Sequence, residues 1–130
     1  MAKTGVIGAG SWGIALSLLL HNNGHEVTVW SALKDEIVEL KETHEHRTLP
    51  GVHLPETMIF TDNLEEAMAD KDLLVLAVPS IYTRTTAASM KPFCRDGQIL
   101  VNVAKGIEES TLMTLSEQIE EELPMANVAV

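Results

Sequence analysis

Short apolar runs alternate along this chain with stretches of helical spacing, and the alternation predicts a repeating strand–helix order. Lys3 to Ile7 reads as a strand, and Gly8-Ala9-Gly10-Ser11-Trp12-Gly13 follows without a break. Ile14 to Leu20 then reads as a helix that Asn22-Asn23-Gly24 stops. His25 to Trp30 is the next strand, which makes the first thirty residues a βαβ unit with tight connections and a right-handed crossover. Lys34 to Glu42 carries Ile37, Val38 and Leu40 at helical spacing. His44 to Glu56, holding Pro50, Gly51 and Pro55, is the longest irregular connection.

Met58 to Thr61 predicts a short strand. Asp62-Asn63-Leu64-Glu65 has the form of a capping box, with Asp62 as the cap and Glu65 answering it, opening a helix to Ala69. Asp72 to Val78 is apolar after its first residue, as a central parallel strand covered on both faces requires. Pro79-Ser80 ends it and starts a helix through about Met90. Gln98 to Ala104 is a fifth strand; Thr111 to Leu123 is a helix with Leu112, Leu115, Ile119 and Leu123 as its buried stripe and an acidic outer face that includes Glu120-Glu121-Glu122. Asn127 to Val130 begins a sixth strand and stops without a polar tail, so the chain reads as a domain cut at that strand. Together these elements predict one α/β domain over residues 1–130: a Rossmann-type, doubly wound, mainly parallel sheet with helices on both faces and strand order 3-2-1-4-5-6.

Composition agrees with one folded unit. The 130 residues are 45% hydrophobic and 22% charged, too apolar for a disordered chain and too few for two ordinary domains. A formal charge of -10 speaks against nucleic acid and anionic lipid surfaces as partners, though it leaves room for a local anion pocket. No window reaches the ~20 apolar residues of a membrane span, and the N-terminus lacks the pattern of a signal peptide, so a cytoplasmic location is expected. Cys94 is the sole cysteine, which excludes an internal disulfide and places any redox chemistry on a cofactor.

Gly8-x-Gly10-x-x-Gly13 is weak as a bare string, but here it joins a strand to a helix at the start of a βαβ unit, where each glycine has a mechanical role. Gly8 permits the tight turn, Gly10 lets a pyrophosphate approach the backbone, and Gly13 packs the helix against the strand; the helix N-terminus then points at the phosphates. Ser11 and Trp12 occupy the turn itself, Trp12 either walling the ligand or lidding the helix start. The acid that would bind adenosine ribose hydroxyls at the end of the second strand is not there. The chain reads Trp30-Ser31-Ala32-Leu33-Lys34, with Asp35 and Glu36 later than expected. Ser31 suits either cofactor form and Lys34 suits a 2′-phosphate, so NAD and NADP both stay open. Tyr82 stands at the carboxyl end of the fourth strand and Lys105 at that of the fifth, flanking one crevice. Tyr82 packs either on a nicotinamide or between helix and sheet, and Arg84, one turn into the same helix, either serves the site or is simply exposed. His44 and His46, with Glu42 and Glu45 nearby, lack a third partner, so no metal site is expected and the loop is read instead as ordering at the crevice or a domain edge.

Five segments in order resemble the N-terminal domain of NAD(P)-dependent glycerol-3-phosphate dehydrogenases: Val6-Ile7-Gly8-Ala9-Gly10-Ser11-Trp12-Gly13, Gly24-His25-Glu26-Val27-x-Val29-Trp30, His46-Arg47-x-Leu49-Pro50-Gly51, Ala77-Val78-Pro79-Ser80 and Ala104-Lys105-Gly106-Ile107-Glu108. The resemblance implies reversible reduction of dihydroxyacetone phosphate to sn-glycerol 3-phosphate for glycerophospholipid synthesis. It implies cofactor contacts at Gly8, Ala9, Gly10, Ser11, Trp12, Gly13, Ser31, Ala32, Tyr82 and Lys105, with Lys105 also touching substrate. It further implies a C-terminal helical domain, not contained in these residues, that carries the general-acid lysine, so this chain is expected to bind cofactor without turnover. Ala32 departs from the family pattern, where many members carry a basic residue. Another nicotinamide-dependent dehydrogenase and a stand-alone dinucleotide-sensing domain are the alternatives. An apolar face left by an absent partner domain is expected to drive association into a homo-oligomer.

Overall fold

The computed structural model describes residues 2–47, 49–103 and 114–129. Among these residues six parallel strands form one sheet: β1 (Lys3–Ile7), β2 (Glu26–Trp30), β3 (Ile59–Thr61), β4 (Leu73–Leu76), β5 (Ile99–Asn102) and β6 (Asn127–Ala129). Their order is β3-β2-β1-β4-β5-β6, the expected one. Register runs from Lys3 opposite Glu26 to Ile7 opposite Trp30 on one side of β1, and from Thr4 opposite Leu73 to Ile7 opposite Leu76 on the other. The strand order therefore reverses between β1 and β4, which opens a crevice at the carboxyl ends of those two strands.

Among the described residues five α-helices cover the sheet: α1 (Ser11–Asn22), α2 (Lys34–Thr43), α3 (Leu64–Met68), α4 (Thr83–Met90) and α5 (Leu115–Glu122). The alternation of side chains along a strand divides the core in two. Val6, Val29 and Val75 point to one face, where they pack with Ile14 of α1 and Ile37 and Leu40 of α2. Ile7, Leu74 and Leu76 point to the other, against Ala67 of α3, Ala87 and Met90 of α4, and Ile119 of α5. β4 is covered on both faces, which is why it reads as an unbroken apolar run, whereas β1 opens on exposed Lys3 and buried Thr4 before its apolar end. Each fully buried Leu or Ile contributes roughly 1.5–3 kcal/mol relative to exposure.

Three local expectations shift. The α3 cap is Asn63, whose side chain accepts from the Glu66 amide at 3.2 Å, one residue later than the Asp62–Glu65 box. Asp62 instead gives its carbonyl to the Trp30 indole N–H at 3.2 Å. The segment after β4 is a 3-10 turn over Ser80–Tyr82 before α4 proper, because Pro79 fixes an extended backbone that the α-helix joins only at Thr83. On α2, Ile37 and Leu40 are buried while Val38 is exposed. The start expected for α5, Thr111, and Leu112 of its stripe lie outside the described residues; Thr114 caps the helix, accepting from the Glu117 amide at 3.2 Å.

Candidate dinucleotide site

Residues 8–13 leave β1 and enter α1 at the mouth of the crevice. Gly8 has φ +127, a conformation that favours glycine, and its amide donates to the Trp30 carbonyl at 2.9 Å, tying the turn to the end of β2. A Cβ on Gly8 would meet the Ala77 carbonyl oxygen at 2.6 Å, so the backbones at the ends of β1 and β4 are in close packing. A Cβ on Gly13 would overlap the Gly8 carbonyl oxygen; this glycine is what lets α1 sit down on the turn. Gly10 differs from both. A Cβ there meets nothing within 4 Å, and its φ of -69 suits any residue.

Gly10 is also the N-cap of α1, with no side-chain cap and no acid in the first turn. The exposed N–H groups there face an open approach, and the helix dipole favours negative charge at that point. A pyrophosphate fits this geometry: the backbone is bare, the donors lack a capping carboxylate, and α1 has no like charge to repel it. Ala9 is buried, and its carbonyl accepts from His46 Nε2 at 2.9 Å, which fixes the proton of that imidazole on Nε2. Ser11 is exposed, and Trp12 stands 60% exposed over the turn.

Tyr82 is 55% exposed at the carboxyl end of β4, which removes the alternative of a ring packed between helix and sheet. Ser31 is buried; its hydroxyl accepts from the Leu33 amide at 3.1 Å and shapes the β2–α2 turn, while Ala32 beside it is exposed. Lys105 lies outside the described residues. Arg84 is not a loose surface group: it pairs with Glu121 at 2.8 Å and Glu122 at 2.9 Å, clamping α4 to α5. The acidic end of α5 is thus partly neutralised from within.

The two loop histidines diverge. His46 braces the glycine-rich turn, whereas His44 pairs with Glu56 at 3.2 Å and packs edge-on against Phe60. No group of three or more His, Cys, Asp or Glu side chains arranged for a metal occurs among the described residues. No helix among them is long and apolar enough to cross a membrane.

Next to the braced turn, the β2–α2 connection, α2 as far as Leu40 and residues 45–47 line an open-sided cavity of about 590 Å³, within the range of small-molecule sites. Ala32, Lys34, Glu36, Glu39 and Arg47 are among its lining residues. Arg47 Nε donates to both oxygens of Glu39, at 3.1 and 2.9 Å. Burial pushes the Glu36 carboxyl above the ordinary carboxylate range, an effect that the positive fields of His46 and Arg47 oppose. The sequence signal for this wall was present in the i, i+3 spacing of Glu36 and Glu39, which puts both on one side of α2. The brace from His46 had no such signal, because its partner is a backbone carbonyl 37 residues away.

A doubly wound sheet with an uncapped, glycine-lined helix start at its switch point defines a dinucleotide-binding domain. The family model for the N-terminus of NAD-dependent glycerol-3-phosphate dehydrogenase matches residues 3–130, and the chain belongs to that family of NAD(P)-binding domains. It is 59% identical over 131 aligned residues to the glycerol-3-phosphate dehydrogenase [NAD(P)+] of Agathobacter rectalis and 53% identical to that of Fusobacterium nucleatum. Each alignment covers all of this chain and 39% of the relative. The solved glycerol-3-phosphate dehydrogenase of Coxiella burnetii superposes with a TM-score of 0.90 at 26% identity, over 98% of this chain and 39% of that one. This chain thus spans about two-fifths of the length of the curated relatives it matches. The family match places the chain in this family rather than in another family of nicotinamide-dependent dehydrogenases.

Proposed function

We propose that this chain is the cofactor-holding part of an enzyme that reversibly reduces dihydroxyacetone phosphate to sn-glycerol 3-phosphate with NADH or NADPH, supplying glycerophospholipid synthesis in the cytoplasm. The observation that carries the reading is the open face at Gly10, framed by two glycines that the backbone itself requires and backed by an uncapped helix. When bound, the nicotinamide supplies the hydride. The residues of this chain hold and orient: the amides of the 8–13 turn grip the pyrophosphate, Trp12 walls it, Ser31 and Ala32 flank the adenosine end, and Tyr82 flanks the nicotinamide end. Lys105 is assigned to cofactor and substrate by the family resemblance. The proton for the ketone oxygen comes from a lysine in the helical part of the enzyme, beyond this chain, so these residues alone position a cofactor without completing the reaction.

Two assays test this. Mixed with NADH and dihydroxyacetone phosphate, the chain is expected to bind NADH without consuming it; turnover at the rate of a complete enzyme would overturn the assignment of the acid. Joined to the remaining three-fifths of the Agathobacter rectalis relative, it is expected to oxidise NADH or NADPH when dihydroxyacetone phosphate is added. A folded chimera that binds cofactor but does not use that ketone would overturn the substrate.

A further inference from the structure

The cavity beside the turn discriminates between the two nicotinamide dinucleotides. Resting on the reading that the 8–13 turn takes the pyrophosphate, we propose that Glu36 is a specificity-determining residue: its carboxylate accepts the adenosine ribose hydroxyls and, with its acidic neighbours, excludes a 2′-phosphate, so that the chain selects NAD(H) over NADP(H).

Position is the first support. The cavity opens outside the carboxyl end of β2 and shares His46 with the turn, since His46 lines it and also bonds the Ala9 carbonyl. In this fold the adenosine ribose lies there. Glu36 is the third residue of α2, and the helix starts only at Lys34, so the β2–α2 turn brings into the cavity a carboxylate that looked too late in the sequence.

Charge is the second. Four carboxylates line the cavity, from Asp35, Glu36, Glu39 and Glu45, against the two cations Lys34 and Arg47. Arg47, the residue best shaped for a phosphate, already holds both oxygens of Glu39. A ribose phosphate monoester brings about -1.5 to -2 more at neutral pH. Lys34 alone does not offset that, and at Ala32 and Leu33 the turn adds no cation. Vicinal hydroxyls bring donors instead. No hydrogen bond from a described residue reaches the Glu36 carboxylate, and it is partly buried on the cavity wall, so two hydroxyl donors from the ribose can meet it there without displacing a protein partner.

The test is competitive binding of NADH and NADPH to the 130-residue chain and to Glu36→Gln and Glu36→Lys, followed by nicotinamide fluorescence. The ratio of the two affinities is the readout, because a loss of folded protein lowers both affinities together. The parent chain is expected to prefer NADH at least ~10-fold. Glu36→Gln should cut that preference at least threefold, through a larger loss for NADH than for NADPH, and Glu36→Lys should bring it to parity or below. Equal binding by the parent chain, or tighter binding of NADPH, overturns the inference while leaving the dinucleotide reading intact. A preference that neither substitution changes overturns the role of Glu36. Binding of neither cofactor overturns the dinucleotide reading, and this inference with it.

Discussion

Replacing Gly10 by alanine separates the two duties of the glycine-rich turn. The new methyl group meets nothing within 4 Å and the backbone angles already suit alanine. A shorter list of unfolded conformations stabilises the variant by about 0.4–1 kcal/mol, and loss of glycine's advantage over alanine as an N-cap offsets that by a similar amount. The net change should lie within about 1 kcal/mol, a melting shift of roughly 4 °C or less for a chain of this size. Affinity behaves differently. The methyl group fills the approach that a pyrophosphate needs, and losing one charged hydrogen bond of about 1.5–3 kcal/mol weakens binding about 10- to 150-fold. Gly13→Ala is the control. Its methyl group overlaps the Gly8 carbonyl oxygen, and relief requires the helix or the turn to move, at about 1–3 kcal/mol. Thermal melting and NADH titration on the three proteins read both effects. A Gly10→Ala variant that unfolds like Gly13→Ala, or that binds NADH as tightly as the parent, would refute the reasoning.

Three further outcomes follow from the same structure. Arg84→Gln breaks a half-buried clamp between α4 and α5 and should cost about 1 kcal/mol, with the difference from the parent shrinking in high salt, as denaturant melts at two ionic strengths would record. Glu36→Gln should gain stability relative to the parent as pH rises. The folded-state pKa of Glu36 is raised, so the native state holds the proton more tightly than the unfolded chain, and ionising the group above the ordinary carboxylate range costs the parent stability that the neutral amide does not lose; melts from acid to neutral pH check the sign. Cys94, pushed up by burial and by the nearby Asp96 charge, should react with a thiol reagent at neutral pH more slowly than an unstructured cysteine peptide, and the gap should narrow in denaturant.

The layout was legible because its cause is local and periodic. Apolar runs with both faces covered, separated by helical spacing, gave the strand order, and the strand–glycine–helix junction gave the ligand turn. What escaped the sequence depends on which donor or acceptor folding brings near. The capping pattern points to Asp62, but the β3 exit leaves Asn63 at the helix start and sends the Asp62 carbonyl to Trp30. The loop of His44 and His46 is read as ordering at the crevice, but the contact that does it, from His46 to a backbone carbonyl 37 residues away, leaves no mark in the sequence. Arg84 looked exposed because the partners that hold it stand on another helix. Glu36 reads as too late for a ribose contact, and position along the sequence does not reveal that the β2–α2 turn brings its carboxylate to the cavity wall.

The central claim is that residues 8–13 take the pyrophosphate of a nicotinamide dinucleotide. Titrating the isotope-labelled chain with NADH and following its backbone amide resonances tests that directly. The largest shifts should fall on Gly8, Ala9, Gly10, Ser11, Trp12 and Gly13, with a second group at Ser31, Ala32 and Glu36. Shifts absent from the turn, or clustered at the opposite ends of the strands around Lys3, Glu26 and Asp72, would contradict it.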